Sequence, residues 1–209
     1  MNPEIIRMTV GPFEENAWLI AHHTEGIGVI IDPGDEPDRI AGRIDETEIT
    51  PVAIVNTHGH LDHIGAVKDL QERFDLPFYL HGDDEFLLDL YPDHAEMFGV
   101  PMRGIPEITH DLAELDEIAF GNLSFRVIPT PGHTPGGISL LHDRALFSGD
   151  TLFAGSVGRT DLPGGDFGTL IHSIREQLLL LEDDITIHPG HGPESTIGDE
   201  RRSNPFINQ

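Results

Sequence analysis

A short run of histidines with one aspartate is the first feature of this sequence that could do chemistry. Three histidines and an aspartate lie within six residues, in the run Thr57-His58-Gly59-His60-Leu61-Asp62-His63. Imidazole and carboxylate ligands suit zinc, iron or manganese, and the chain has no cysteine, which argues against a closed structural zinc site. A solvated histidine-rich loop is the alternative, but this spacing favours a metal site.

The run lies between two predicted elements that would hold it in place. Val52–Val55 is a short apolar strand ahead of the run. Behind it, apolar residues are spaced for one buried face of a helix, at Ile64, Val67, Leu70 and Phe74. A tight turn from strand to helix can point all four ligand side chains inward, which a regular helix or strand alone would not do.

Strands and helices are predicted in both halves of the chain. The predicted strands are Ile5–Val10, Ala17–Ala21, Gly28–Asp32, Val52–Val55, Pro77–His81, Ile118–Phe120, Leu123–Ile128, Gly137–Leu141, Ala145–Ser148 and Ile185–Ile187. Besides the helix after the histidine run, helices are predicted from Glu36 to about Asp45, at Asp83–Leu90 and, as the last helix, at Phe167–Leu181. Tyr91–Asp111 is predicted to be an irregular loop near the site. This pattern predicts an α/β protein, a four-layer αββα sandwich of two facing sheets covered by helices, in one domain over residues 1–209.

The histidine run resembles the His-x-His-x-Asp-His signature of the metallo-β-lactamase superfamily. Further superfamily elements follow in the expected order at Asp32, His133, Asp150 and His191, within Ile31-Asp32-Pro33-Gly34, Pro131-Gly132-His133-Thr134-Pro135-Gly136, Phe147-Ser148-Gly149-Asp150-Thr151 and His188-Pro189-Gly190-His191-Gly192. Each of these residues alone could be a turn residue, whereas the ordered set is highly specific. The resemblance covers the whole chain and implies the metallo-β-lactamase fold.

The resemblance also implies two adjacent sites for divalent metal ions, with zinc expected first and iron or manganese as alternatives. The first site would be formed by His58, His60 and His133, and the second by Asp62, His63 and His191. Asp150 would bridge the two metals, and Asp32 would orient a metal-ligating histidine without binding metal itself. A hydroxide that bridges the metals would attack the carbonyl carbon of a substrate, and Asp62 would orient the nucleophile or move a proton. Asp62 and Asp150 are therefore the expected catalytic residues.

The stretch from Gly149 to Asp161 resembles the glyoxalase II branch, whose typical members hydrolyse S-lactoylglutathione. Arg159 fills the basic substrate-binding position and could pair with a substrate carboxylate. Asp161 departs from the branch, which has tyrosine there; it would repel an anionic substrate or serve as a partner for Arg159. The chain also stops soon after Asn204-Pro205-Phe206, so it resembles the short, single-domain type without the extra helical domain. A small thioester of the S-lactoylglutathione type is the expected substrate.

Two other functions stay open at this stage. Persulfide dioxygenases share the fold and a Gly-Arg-Thr-Asp segment, and use one iron that His58, His133 and Asp150 could hold here. A non-enzymatic scaffold of this fold is disfavoured because every expected ligand is present. Metallo-β-lactamases that place a cysteine in the second site are excluded by the absence of cysteine.

The charge balance restricts the partners. The chain of 209 residues has 37 acidic against 12 basic side chains and a formal net charge of −25, and such a surface repels nucleic acid. No apolar run approaches the roughly 20 residues that span a bilayer, and the amino terminus lacks a secretory layout, so a cytoplasmic protein without a membrane partner is expected. Lys68 is the single lysine, which fits either work in concentrated salt or a merely acidic soluble protein.

Overall fold

The computed structural model describes residues 2–208, and two six-stranded sheets form its centre. The strands of the first sheet are β1 Glu4–Val10, β2 Glu15–His22, β3 Ile27–Ile31, β4 Thr50–Val55, β5 Phe78–Leu80 and β6 His110–Asp111. They are arranged in sequence order, antiparallel from β1 to β3 and parallel from β3 to β6. The carboxyl ends of β3, β4 and β5 therefore meet at one edge of this sheet.

The second sheet is built from the second half of the chain. Its strands are β7 Glu117–Phe120, β8 Leu123–Pro129, β9 Ile138–His142, β10 Ala145–Gly149, β13 Thr186–Pro189 and β14 Ser195–Thr196, in the order β14-β13-β10-β9-β8-β7. β10 and β13 are parallel, so their carboxyl ends also lie at one edge. A separate two-stranded ribbon follows β10 and consists of β11 Leu152–Phe153 and β12 Ser156–Val157.

Helices cover the outer face of each sheet. They are α1 Pro37–Thr47, α2 Leu61–Ile64, α3 Val67–Phe74, α4 Glu85–Phe98, α5 Phe167–Ser173 and α6 Ile197–Ser203. A π-helical turn, Ile174–Leu178, continues α5. Within residues 2–208, each helix is too short or too polar to cross a bilayer.

Side-chain alternation along the strands separates three apolar layers. Trp18 and Ile20 of β2 face the second sheet, where they join Phe125 and Phe147 in the layer between the sheets. Leu19, between them, points to the opposite face and packs with α1, α3 and α4. A third layer joins the second sheet to α5 and α6. Because successive strand residues point to opposite faces, both faces of each sheet are buried, and the predicted four-layer αββα sandwich is confirmed.

Three predicted helix boundaries are wrong. The helix after the histidine run is split into α2 and α3 at Gly65, because the backbone there packs against the Gly34 carbonyl. Helix α4 continues to Phe98, eight residues beyond its predicted end. The last predicted helix is regular only to Ser173, and α6 follows it later in the chain.

The segment predicted as an irregular loop from Tyr91 begins inside α4. Pro92 lies within this helix, yet Leu88, Tyr91 and Ala95 form one buried stripe on the first-sheet layer. Burial of this stripe outweighs the hydrogen bond that proline removes. The helix ends at Phe98, and Gly99, with a φ of 68° in the left-handed region, caps it.

Truncation of Leu146 to alanine should lower the free energy of unfolding by about 2–5 kcal/mol, because it leaves a cavity under α5 in the third apolar layer. Leu180→Ala is the matched control, since that side chain is 74% exposed and should change stability by no more than about 0.5 kcal/mol. Urea unfolding followed by circular dichroism measures both. Equal effects of the two changes would contradict the layer assignment.

Candidate metal centre

The predicted ligands lie in loops that follow strand ends. His58 comes after β4, Asp150 after β10 and His191 after β13, while His133 lies in the loop between β8 and β9. Parallel strands in each sheet bring these ends to one edge, and ligand sites commonly form outside the carboxyl ends of such strands. The structure therefore brings residues from both halves of the chain together.

The first group of side chains consists of His58, His60 and His133, whose nearest ring nitrogens lie within 4.8 Å of one another. His133 Nδ1 is 2.7 Å from the Arg159 carbonyl oxygen, so this nitrogen donates a proton and Nε2 keeps its lone pair. That Nε2 is 2.9 Å from His60 Nδ1. His58 Nδ1 lies 3.1 Å from Thr57 Oγ1, which leaves His58 Nε2 as the free nitrogen.

The second group consists of Asp62, His63 and His191, again within 4.8 Å. His191 Nε2 is 3.2 Å from Asp62 Oδ2. His63 presents Nδ1 to Asp32 Oδ2 at 3.2 Å, so its Nε2 points towards the cluster. Asp32 also accepts hydrogen bonds from the Thr57 amide (2.7 Å) and hydroxyl (2.6 Å), which fix its orientation against His63.

Asp150 lies between the two groups. Its Oδ2 is 3.6 Å from both His133 Nε2 and His191 Nε2, and its Oδ1 is 3.3 Å from His63 Nε2. One carboxylate thus contacts both groups, as a ligand shared by two cations would.

The unpaired atoms of the cluster fit cations. Among the described residues, the buried atoms His58 Nε2, His60 Nε2, His63 Nε2 and Asp150 Oδ1 make no hydrogen bond. Leaving buried polar atoms without partners is costly, so their concentration at one point favours a bound group that supplies the partner. Nitrogen and carboxylate donors suit a divalent first-row metal.

Protonation of the first group also favours metal binding. Burial, followed by repulsion from neighbouring histidines, lowers the pKa of His58 well below its usual value and that of His60 to about 3. Both rings are therefore neutral near pH 7, which is the form that binds metal.

The carboxylates are ionised for a different reason. Burial opposes the charge on Asp62 and Asp150, but the hydrogen bond from His191 to Asp62 and the charge of His63 beside Asp150 outweigh it and lower both pKa values. Against the opposing effect of burial, Asp150 and Asp32 raise the pKa of His63, and Asp62 and Asp150 raise that of His191. The acidic side chains thus make the second group attractive to any cation, a proton or a metal ion.

Arg159 lies beside the first group through its backbone, but its side chain points to solvent. Its Nε and Nη2 donate to Asp161 Oδ1 and Oδ2 at 2.7 and 2.8 Å. This hydrogen bonding lowers the pKa of Asp161 to about 2. Asp161 is therefore a partner of Arg159, one of the two roles that the sequence suggested for it.

Three buried polar residues near the cluster are absent from the sequence-based predictions. Glu15, at the start of β2, lies with Oε1 3.9 Å from His63 Nδ1, and burial raises its pKa well above the usual value. Asn16 contacts the loop that carries His191, and Asp84 contacts the loops of the first group. Glu15 and Asn16 could have been found from the sequence, because a charged and an amide residue stand at the start of an apolar strand, Glu15-Asn16-Ala17-Trp18.

Comparisons with known proteins agree with this geometry. The model of the metallo-beta-lactamase superfamily matches residues 10–191. The chain is 42% identical over its full length to a Haemophilus influenzae protein named hydroxyacylglutathione hydrolase GloC, of which it covers 99%. The predicted resemblance to the short glyoxalase II-like branch is thereby confirmed.

Two crystal structures are similar over nearly the whole chain. One, described as BLEG-1 B3 metallo-beta-lactamase, has a TM-score of 0.92 and 36% identity, and the alignment covers 99% of this chain and 100% of that one. The other, described as TTHA1623 in a di-iron-bound form, has a TM-score of 0.86 and 40% identity, with 96% and 99% coverage. The predicted metallo-β-lactamase fold is confirmed.

The geometry predicts about two zinc ions per chain in the zinc-loaded protein. His133→Ala and His191→Ala should each leave about one ion, because each change removes a ligand from a different group. Metal analysis after exhaustive dialysis measures the stoichiometry, and His172→Ala, an exposed histidine on α5, is the control that keeps both ions. Retention of both ions by either ligand variant would refute the assignment.

Proposed function

Because this chain belongs to the metallo-β-lactamase superfamily, we propose that it is a metal-dependent hydrolase of a small thioester of the S-lactoylglutathione type. The observation that carries the proposal is the position of Asp150, which contacts both His133 and His191 and can therefore hold two cations side by side. Identity of 42% to a hydroxyacylglutathione hydrolase supports the thioester substrate. The proposal treats residues 1–209 as one domain and places the enzyme in the cytoplasm.

In this proposal, His58, His60 and His133 hold one divalent cation, Asp62, His63 and His191 hold the other, and Asp150 is shared. Zinc is the first expectation, and the di-iron form of a similar structure supports iron as the alternative. When bound, such a pair lowers the pKa of a water and polarises a carbonyl oxygen.

The chain's own residues orient the reactants around this pair. The cluster is open on one side, because the side chains of Asp62 and His191 are 19% and 27% exposed while His63 is fully buried. Substrate therefore enters beside Asp62. One oxygen of Asp62 faces His191, and the ionised carboxylate can accept a hydrogen bond from the attacking water and so orient it.

The buried side of the cluster keeps its ligands fixed. The Arg159 carbonyl accepts a hydrogen bond from His133 Nδ1, which sets the tautomer that leaves Nε2 of His133 free for the cluster. Asp32 Oδ2 lies 3.2 Å from His63 Nδ1, an ion-pair contact on the side of the ring away from Asp150. Fixed ligands keep the attacking water and the thioester carbonyl in one geometry during turnover.

Asp150→Asn should lower kcat/KM for S-lactoylglutathione by more than about 100-fold, because it weakens the ligand shared by both cations. Asp143→Asn makes the same change of charge at an exposed residue 73% accessible to solvent and should leave turnover unchanged. Both are measured on zinc-loaded protein by loss of thioester absorbance. Full activity of the Asp150 variant would refute the shared-ligand mechanism.

A persulfide dioxygenase is the second candidate, since His133 adjoins both His58 and Asp150, and these three residues could hold a single iron. Oxygen uptake with glutathione persulfide by the iron-loaded protein, together with no thioester hydrolysis by the zinc-loaded or iron-loaded protein, would replace the hydrolase assignment. Hydrolysis of a β-lactam in place of the thioester would replace it as well.

The pairing of Arg159 with Asp161 yields a prediction on substrate binding. Asp161→Asn should lower KM for S-lactoylglutathione about two- to fivefold with little change in kcat, because it frees the guanidinium for a substrate carboxylate. The matched control is a lactoyl thioester of a thiol without a carboxylate, whose KM should not move. An equal change for both substrates would show that Asp161 acts on the fold of the loop and not on charge.

A further inference from the structure

Two chain segments carry the first group of ligands, and one buried carboxylate joins them. Asp84, at the start of α4, is fully buried. Its Oδ2 accepts hydrogen bonds from the Gly59 amide at 2.9 Å and from Thr134 Oγ1 at 2.8 Å, and its Oδ1 accepts from the Gly136 amide at 2.7 Å. Gly59 stands between His58 and His60, and Thr134 follows His133. A single side chain therefore fixes the backbone beside all three ligands of the first group.

A side chain at either of the two glycines that meet Asp84 would be crowded. A Cβ at Gly136 would lie 2.9 Å from the Asp84 carboxyl carbon and amide nitrogen, and one at Gly59 would lie 3.1 Å from the Asp84 carbonyl oxygen. The glycines in His-Gly-His and Pro-Gly-Gly thus allow both loops to approach Asp84 closely. Close packing and hydrogen bonds therefore both hold these two loops against Asp84.

The loop that carries His191 is fixed by a different residue. Asn16 is buried in β2, and its backbone nitrogen donates to the Gly190 carbonyl at 2.7 Å. Its side-chain Nδ2 donates to the Pro189 carbonyl at 3.1 Å and to the Gly192 carbonyl at 2.9 Å. Its Oδ1 accepts from Thr9 Oγ1 at 2.9 Å, so every polar atom of the side chain is used. Asn16 thereby holds the backbone on both sides of His191.

The two anchors share no partner. Among the described residues, the side-chain hydrogen bonds of Asp84 go to the loops at 59 and 134–136, and those of Asn16 go to Thr9 and to residues 189 and 192. Asp84 belongs to the segment before α4 and Asn16 to the start of β2. Disturbance of one anchor therefore leaves the hydrogen bonds of the other intact.

We propose that Asp84 and Asn16 are positioning residues that set the metal affinities of the two sites separately, Asp84 for the first site and Asn16 for the second. This inference rests on the two-cation site of the proposed function. Neither side chain contacts a metal; each acts by holding the backbone of the loop that presents the ligands. Removal of hydrogen-bonding groups that orient ligands typically costs about 10- to 100-fold in metal affinity.

Isosteric changes at the two anchors test the proposal. Asp84→Asn replaces one acceptor oxygen with an NH2 group, which cannot accept the hydrogen bond of the donor that it faces. Asn16→Asp replaces the donating NH2 group with an oxygen that faces the carbonyls of Pro189 and Gly192. Each change is made in two backgrounds, His191→Ala, which retains only the first site, and His133→Ala, which retains only the second. Zn²⁺ affinity is measured by competition with a chromogenic chelator. Asp199→Asn, an exposed residue on α6, is the control.

The expected result is a crossed pattern. In the His191→Ala background, Asp84→Asn weakens Zn²⁺ binding about 10- to 100-fold while Asn16→Asp leaves it unchanged. In the His133→Ala background, Asn16→Asp weakens Zn²⁺ binding about 10- to 100-fold while Asp84→Asn leaves it unchanged. Equal weakening of both sites by either change, or no weakening at all, overturns the proposal. Because the readout is metal affinity, a chain that shows the crossed pattern but no thioester turnover refutes the proposed function and not this inference.

A milder variant covers the case in which Asp84→Asn does not fold without metal, as judged by circular dichroism in EDTA. Thr134→Val removes one donor to Asp84 and keeps the size of the side chain. It should weaken the first site selectively by about two- to tenfold, since a hydrogen bond contributes about 0.5–1.5 kcal/mol. Thr134→Ser, which restores the donor, should recover the affinity. Unchanged affinity of the folded Thr134→Val protein also overturns the proposal.

Discussion

The structure depends on burying a cluster of histidines and carboxylates whose cation-facing atoms have no partner in the chain. His58 and His63 are almost completely shielded from water, yet His58 Nε2 and His63 Nε2 lack a hydrogen bond. Such groups are expensive to desolvate unless a charge or ligand compensates them. Hydrogen bonds behind the cluster offset part of this cost, as in the contacts of Thr57 with Asp32.

Close backbone packing at glycines is the second condition for the cluster. The turn after β3 and the short helix α2 touch so closely that a Cβ on Gly34 would overlap the Asp62 carbonyl, and one on Gly65 would overlap the Gly34 carbonyl. On the other sheet, a side chain at Gly190 would collide with Asp150. The two halves of the sandwich can therefore deliver ligands to one point only with glycine at these contacts.

The candidate ligands could be picked out from the sequence because their signals are local, whereas the anchors could not. His58 to His63 form one continuous run, and a short strand ahead of it is visible in the apolar pattern. Asp84 meets Gly59 across 25 residues and Asn16 meets Pro189 across 173, so only the folded topology brings them together. The extent of α4 was missed for a related reason: burial against the sheet overrides the local preference of Pro92 against helix.

The negative charge of the protein opposes binding of the proposed anionic substrate, so the metal cations must supply most of the attraction. With a net charge of −25, the protein repels an anionic thioester at long range. The guanidinium of Arg159, beside the site, already donates two hydrogen bonds to Asp161. Salt at physiological strength screens this repulsion beyond about 8 Å, but not the contacts inside the cluster. Recognition of the proposed substrate would then come at short range, from the cations that the cluster would hold and from side chains beside it such as Phe153, whose ring lies 6.2 Å from that of His191. For the proposed thioester, such a site would discriminate more between acyl groups, which reach the cations, than between thiols.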